Sequence, residues 1–239
     1  MANTRLLDKR RKSIRNIRKI TRTMELIATA RFKKAMDRAS AATSYTKRIT
    51  QLVSDLTQTG LAVSHPLLEK REIVQRATLL VLTANRGLCG GFNGNLVRAG
   101  LHRWRELNAE VPECRLEVAG KRGIGAFRFR GHPANVAFTH FEDKPAFDEV
   151  DVIASRYLDE YTSGQLDRLD VVYMRFISIA RQEVAVETLL PLGSLAGGDE
   201  AKTASGAQTQ YEFLPSPESI LEEVVPTSFK VRLFKAFLG

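Results

Sequence analysis

An α/β fold preceded by one very long N-terminal helix is the architecture this sequence predicts. Three observations carry it. Residues 3–58 contain neither glycine nor proline. Residues 76–192 alternate short apolar runs with helix-period segments, separated by glycine-bearing turns. A Gly-, Ala-, Ser- and Thr-rich stretch at 193–210 then leads to a second helix start at Ser216-Pro217-Glu218.

The first element, over 1–60, is expected to be a single helix of roughly 80 Å at ~1.5 Å per residue. That is far longer than an ordinary globular helix. Its apolar pattern repeats every seven residues through Ile14, Thr21, Ala28, Ala35, Ala42, Ile49 and Leu56. A companion row runs through Ile17, Met24, Arg31, Arg38, Tyr45 and Leu52. Two such rows define a coiled-coil seam. Its alanine-rich middle lets a partner helix approach closely, and its arginines argue against a closed, dry dimer there.

The second element, 61–192, reads as a globular α/β domain. Strands are expected at 77–83, 116–119, 136–141, 170–177 and 183–187. Helices are expected at about 93–108, after Gly123, and at 147–162. Strands alternating with helices imply a mostly parallel, Rossmann-like sheet. The stretch 193–210 lacks apolar periodicity and reads as a mobile surface loop. The last element, 211–239, opens a C-terminal helix with a serine cap, proline at the first helical position and an acid in the first turn. Pro226 is expected to interrupt or restart it, and Phe229, Leu233, Phe234 and Phe237 continue an apolar stripe.

Composition narrows the function. Hydrophobic residues make up 44% and charged residues 26%, which supports a folded core. The net charge is +9; residues 1–60 hold 15 Lys+Arg against 4 Asp+Glu, and the remainder 21 against 23. The basic character therefore reads as a property of the N-terminal segment alone, and an acidic partner is expected for it. No run approaches the ~20 apolar residues of a membrane span, so any membrane association is expected to be peripheral. Asp8-Lys9-Arg10-Arg11-Lys12 occupies the place of a signal peptide's apolar core. Cys89 and Cys114 form no CxxC pair.

Candidate chemistry is sparse. The turn Arg86-Gly87-Leu88-Cys89-Gly90-Gly91-Phe92-Asn93 follows a strand and precedes a helix, where phosphate sites form. Its spacing is neither GxGxxG nor GxxxxGK[ST]. Gly87, Gly90 and Gly91 are read as a structural turn, with a nucleotide loop as the alternative. His65, His102, His132 and His140 show no ligand spacing, so no catalytic site, metal or cofactor is expected. The row Arg11, Arg15, Arg18, Arg22 could serve a basic nucleic-acid-binding helix. However, Ile14, Ile17, Ile20, Met24 and Ile27 lie inside the basic segment, so that segment packs on something.

The stretch from Ile17 to Arg31 closely resembles the N-terminal helix of F-type ATP synthase gamma subunits. The turn Arg86–Asn93 resembles that family's glycine turn. Glu187–Leu192, Tyr211–Pro217, and Val225-Pro226 leading into Phe234–Leu238 are similar to family segments in the same order. The resemblance implies a non-catalytic rotor stalk in which two long helices form an asymmetric shaft. Proton flow turns a membrane ring of c subunits, and the shaft drives the catalytic sites of an alpha–beta hexamer. The implied partners are the alpha, beta and epsilon subunits and the c ring, with one copy per complex and no nucleic acid. The implied location is the cytoplasmic face of the inner membrane. Ile17, Ile20, Met24 and Arg31 are the expected contact residues, with an internal shaft seam as the alternative. Family members continue past the position of Gly239, so the C-terminal helix is expected to be truncated. The expected stub from Thr227 would pair only with the first helix near Tyr45–Leu56. A nucleic-acid-binding arm, a nucleotide-dependent enzyme and a non-functional truncated paralogue remain the competing readings.

Overall fold

The computed structural model describes residues 4–58, 65–69, 71–141, 145–178, 181–192 and 217–238, without the side chains of 38–58 and 217–221. The expected loop at 193–210 and the capping Ser216 lie outside the described residues. The chain divides into two units, Met1–Ala41 and Ala42–Gly239.

Helix α1 spans Thr4–Gln58 without a break, as the absence of glycine and proline predicts. Every described side chain from 4 to 37 is exposed except that of Met36, which is half-buried.

The α/β domain is built on β1 (Arg76–Leu82), α2 (Phe92–Glu110), β2 (Glu113–Ala119), α3 (Lys121–Phe129), β3 (Val136–Phe138), α4 (Phe147–Thr162), β4 (Arg168–Ser178) and β5 (Arg181–Leu190). The strand order is β3-β2-β1-β4-β5. Neighbours are parallel except for the antiparallel hairpin β4–β5. The chain winds outward from β1 to β3, then returns to β4 on the other side of β1, which is the doubly wound pattern. One sheet face is covered by α2 and α3, which close over Leu79, Val81, Leu116, Val118 and Val172. The other is covered by α4 and a last helix, α5 (Pro217–Leu238), over Leu80, Leu82, Leu169, Val171 and Tyr173. With both faces covered, β1 is buried at nearly every position instead of alternating.

Helix α4 starts where Glu149 reaches back to accept from the Ala146 N–H at 3.0 Å. Its buried residues Val150, Ile153, Ala154, Tyr157, Leu158 and Tyr161 follow the helical period.

Four features differ from the sequence reading. Strand β3 ends at Phe138 instead of reaching 141. The carbonyls of Thr139 and Phe141 are taken by the Asn85 side-chain amide, at 3.3 and 2.5 Å, in place of a neighbouring strand. Strands β4 and β5 are longer than their apolar runs, because their polar ends pair with each other up to Ser178↔Arg181. Helix α5 runs unbroken through Pro226. Proline there removes one main-chain donor, but Val225 and Phe229 on either side are fully buried and hold the helix in place. Finally, the apolar stripe of α5 is used within the α/β domain, while the side chains of Tyr45–Leu56, its expected partners, lie outside the described residues. Val225, Phe229, Leu233 and Ala236 complete the core beneath α4. Phe237 meets Phe141 at 4.5 Å, and Phe234 meets Phe147 edge-on at 5.4 Å.

Candidate functional site

The contact surface expected on α1 is open to solvent. Ile17 is 59% exposed, Ile20 60% and Met24 45%, which is far outside the range of a core. Arg31 is exposed as well. Ile14 and Ile27 extend the same apolar surface. Large apolar side chains on one helix, interleaved with twelve Lys+Arg against three Asp+Glu over 4–37, suit a partner with apolar sockets and carboxylates. Three threonines in this stretch turn their hydroxyls inward: Thr21 donates to Ile17 O at 2.9 Å, Thr23 to Lys19 O at 3.0 Å and Thr29 to Glu25 O at 2.9 Å.

The glycine turn is tied down by its own chain. The Ala84 N–H donates to Asn93 Oδ1 at 2.9 Å, and Asn93 Nδ2 donates back to Arg86 O at 3.1 Å. Asn85 Oδ1 accepts from Lys121 N at 2.9 Å, joining the turn to α3. Gly87 packs against the Arg122 guanidinium, and Gly91 against the Asn95 amide. Gly90 needs its missing side chain, since its φ is +58°. Its neighbour Leu88 adopts φ +62° without that excuse and is 91% exposed. At its far end Phe92 N donates to Cys89 O at 3.3 Å and Asn95 N to Gly91 O at 2.9 Å, and the turn presents a leucine to solvent.

Basic character is not confined to the N-terminal segment. Residues 73–105 and 118–141 hold nine Lys+Arg and no Asp or Glu. The fold gathers them into the α2–α3 layer, where Arg98, Arg105, Lys121, Arg122, Arg128 and Arg130 are exposed. Acids elsewhere, Asp148, Glu149, Asp151, Asp159 and Glu160 of α4 among them, cancel the total and hide this surface from a net charge.

Two buried ion-pair networks escaped the sequence reading. On the α4 face, fully buried Glu117 accepts from Arg156 at 2.6 and 3.0 Å and from the Tyr157 hydroxyl at 2.7 Å. Burial pulls the Arg156 pKa down, but hydrogen bonds from its guanidinium to Glu117 outweigh this and hold it above its usual value. Burial, with Glu117 beside it, pushes the Tyr157 phenol well up. On the α2 face, buried Asp170 accepts from Arg103 at 2.7 Å, Arg168 at 2.9 Å and Thr188 at 2.8 Å. This cluster lines an open groove with Ala99, His102, Glu106 and Val186. A carboxylate within an apolar strand, as in Leu116-Glu117-Val118, was the available signal, since burying it demands a cation.

His65 accepts from the Leu67 N–H, and burial lowers its pKa against the opposing charges of Glu222 and Glu69. Among the described residues no cluster could hold a metal ion. Cys89 is exposed and Cys114 half-buried, with its thiol pushed up to about 11 by burial and by Asp170. No described helix is long and apolar enough to cross a membrane.

Comparison with known proteins agrees with this arrangement. The chain matches the family described as ATP synthase over residues 3–239. It is 60% identical to the ATP synthase gamma chain of Rhodopirellula baltica, covering 100% of this chain and 81% of that one. It is 35% identical to the ATP synthase gamma chain of Leptospira biflexa, with the same coverage. The central stalk/c-ring structure of the Tetrahymena thermophila mitochondrial ATP synthase superposes with a TM-score of 0.62, covering 92% of this chain and 91% of that one. At 17% identity that likeness is one of fold. The long helix, the doubly wound sheet and the close relatives lead to one conclusion: the chain belongs to the ATP synthase gamma chain family.

Proposed function

We propose that this gamma chain transmits torque as the central stalk between a membrane c ring and an alpha–beta hexamer, and that α1 supplies the surface on which the hexamer acts. As a gamma chain it is a non-catalytic subunit of the proton-transporting ATP synthase. The observation that carries the reading beyond family membership is the exposure of the row Ile17, Ile20 and Met24 on a cationic helix. Apolar contacts of this kind are non-directional and slide, and long-range attraction to carboxylates holds them together without locking them. Arg31 belongs to the same contact surface. The division into a shaft helix at 1–60, an α/β domain at 61–192, a loop at 193–210 and a C-terminal helix from 211 fits this role. The α/β domain then faces the epsilon subunit and the c ring, at the cytoplasmic face of the inner membrane.

Crosslinking in the assembled complex tests this. A photo-reactive residue placed at 17, 20, 24 or 31 is expected to capture alpha and beta subunits, with one gamma chain per hexamer by native mass spectrometry. Capture of nucleic acid, or no capture of alpha or beta at any of the four positions, overturns the contact assignment.

A further inference from the structure

Helix α4 is fixed to the sheet by charge as well as by packing. The Glu117 side chain lies at the centre of β2 with no exposure, and the Arg156 guanidinium grips both its oxygens. One turn along α4, Glu160 joins the same arginine at 3.2 Å and Arg115 of β2 at 2.5 Å. At the other end of α4, Asp151 takes the Lys230 ammonium of α5 at 2.8 Å. Separate ion pairs therefore tie α4 to β2 and to α5.

Stability alone does not call for this arrangement. A buried ion pair is often matched or exceeded by apolar residues of equal volume, because the charges must leave water. What the pair adds is direction. Apolar faces shift past one another by repacking, whereas a two-pronged guanidinium–carboxylate bond holds one geometry and must break before α4 can slide.

We propose that the Glu117–Arg156 bond, with Arg115–Glu160 beside it, holds α4 to the sheet against shear while Lys230–Asp151 separately ties α4 to the C-terminal helix, so that these pairs carry torque between the α/β domain and that helix, with Arg156 as a positioning residue. The proposal rests on the rotor reading above. It locates the resistance to shear in named charges and leaves the alternative, general core packing, as its rival.

The test uses the assembled complex with gamma carrying Glu117→Leu together with Arg156→Met, so that no charge is stranded. Unloaded ATP hydrolysis is expected at the wild-type rate. The angular fluctuation of a probe on the α/β domain, with the hexamer fixed, is expected to broaden. ATP synthesis against a load is expected to fall by a larger factor than unloaded hydrolysis. Lys230→Met should broaden the fluctuation to a lesser degree. Wild-type fluctuation and wild-type synthesis in the double variant overturn the proposal. If that variant does not assemble, Arg156→Lys decides: it keeps the charge and loses the fork, so an unchanged fluctuation overturns the proposal equally. A wild-type complex whose gamma chain does not rotate sinks the rotor reading instead.

Discussion

Gly120 stands between β2 and α3 at φ +95°, and a side chain there would place its first carbon 2.1 Å from the Thr83 carbonyl oxygen. The contact is with backbone, which has no rotamer to give. Thr83 is itself committed, donating to Ala119 O at 2.7 Å and accepting from the Gly123 N–H at 2.9 Å. Gly120→Ala is therefore expected to cost at least about 1–3 kcal/mol from the backbone conformation alone. At roughly 2–4 °C per kcal/mol for a domain of this size, a thermal melt should fall by several degrees or more. An unchanged melting temperature would show that the β2–α3 junction relaxes freely. Leu88 is the contrasting case at the same scale. It too sits at positive φ, but it is 91% exposed.

At the scale of elements, burial separates residues that look alike in sequence. Phe229 of α5 is fully buried beside Val225 and Leu233, whereas Phe129 at the end of α3 is 90% exposed. Phe229→Ala should cost about 3–5 kcal/mol as a core cavity. Phe129→Ala should stay within about 0.5 kcal/mol of wild type. Urea denaturation of the two variants checks both, and equal losses would mean that α5 contributes little to the core. The parallel strands β1 and β4 were legible because burial on two faces demands an unbroken apolar run. The start of β5 was not, because Arg181 and Gln182 are exposed polar residues whose pairing with Ser178 and Phe176 leaves no hydrophobic mark. Pro226 misled for the same reason in reverse: local propensity reads as a break, and tertiary burial of its neighbours overrides it. In the candidate site, Ile17, Ile20 and Met24 were legible as an apolar row. Their exposure was not, since a shaft seam and a partner surface share one helical period. The Glu117–Arg156 pair joins positions 39 residues apart, which no local pattern encodes.

For the whole molecule, charge is sorted by region, and that sorting sets how α1 behaves on its own. Residues 4–37 carry twelve Lys+Arg against three Asp+Glu. Arg11, Arg15, Arg18 and Arg22 stand three and four apart along one face, and such like-charged pairs each weaken a helix by about 0.2–0.5 kcal/mol. Asp8–Arg11 at 2.9 Å and Arg22–Glu25 at 2.7 Å offset only part of this, since both pairs are largely exposed. No described side chain in 4–37 is buried, so this stretch lacks the apolar packing that supplies most helical stability in proteins. Backbone amides at 10–30 in the isolated gamma chain are therefore expected to exchange with deuterium much faster than those of β1 and β4. Added salt should slow them by screening the arginine row, and assembly into the complex should slow them further by covering Ile17, Ile20 and Met24. Hydrogen exchange followed by mass spectrometry reads all three conditions. Protection of 10–30 in the isolated monomer equal to that of the central strands would mean that α1 is already partnered within its own chain. The exposed row would then lose its standing as the surface the hexamer turns against.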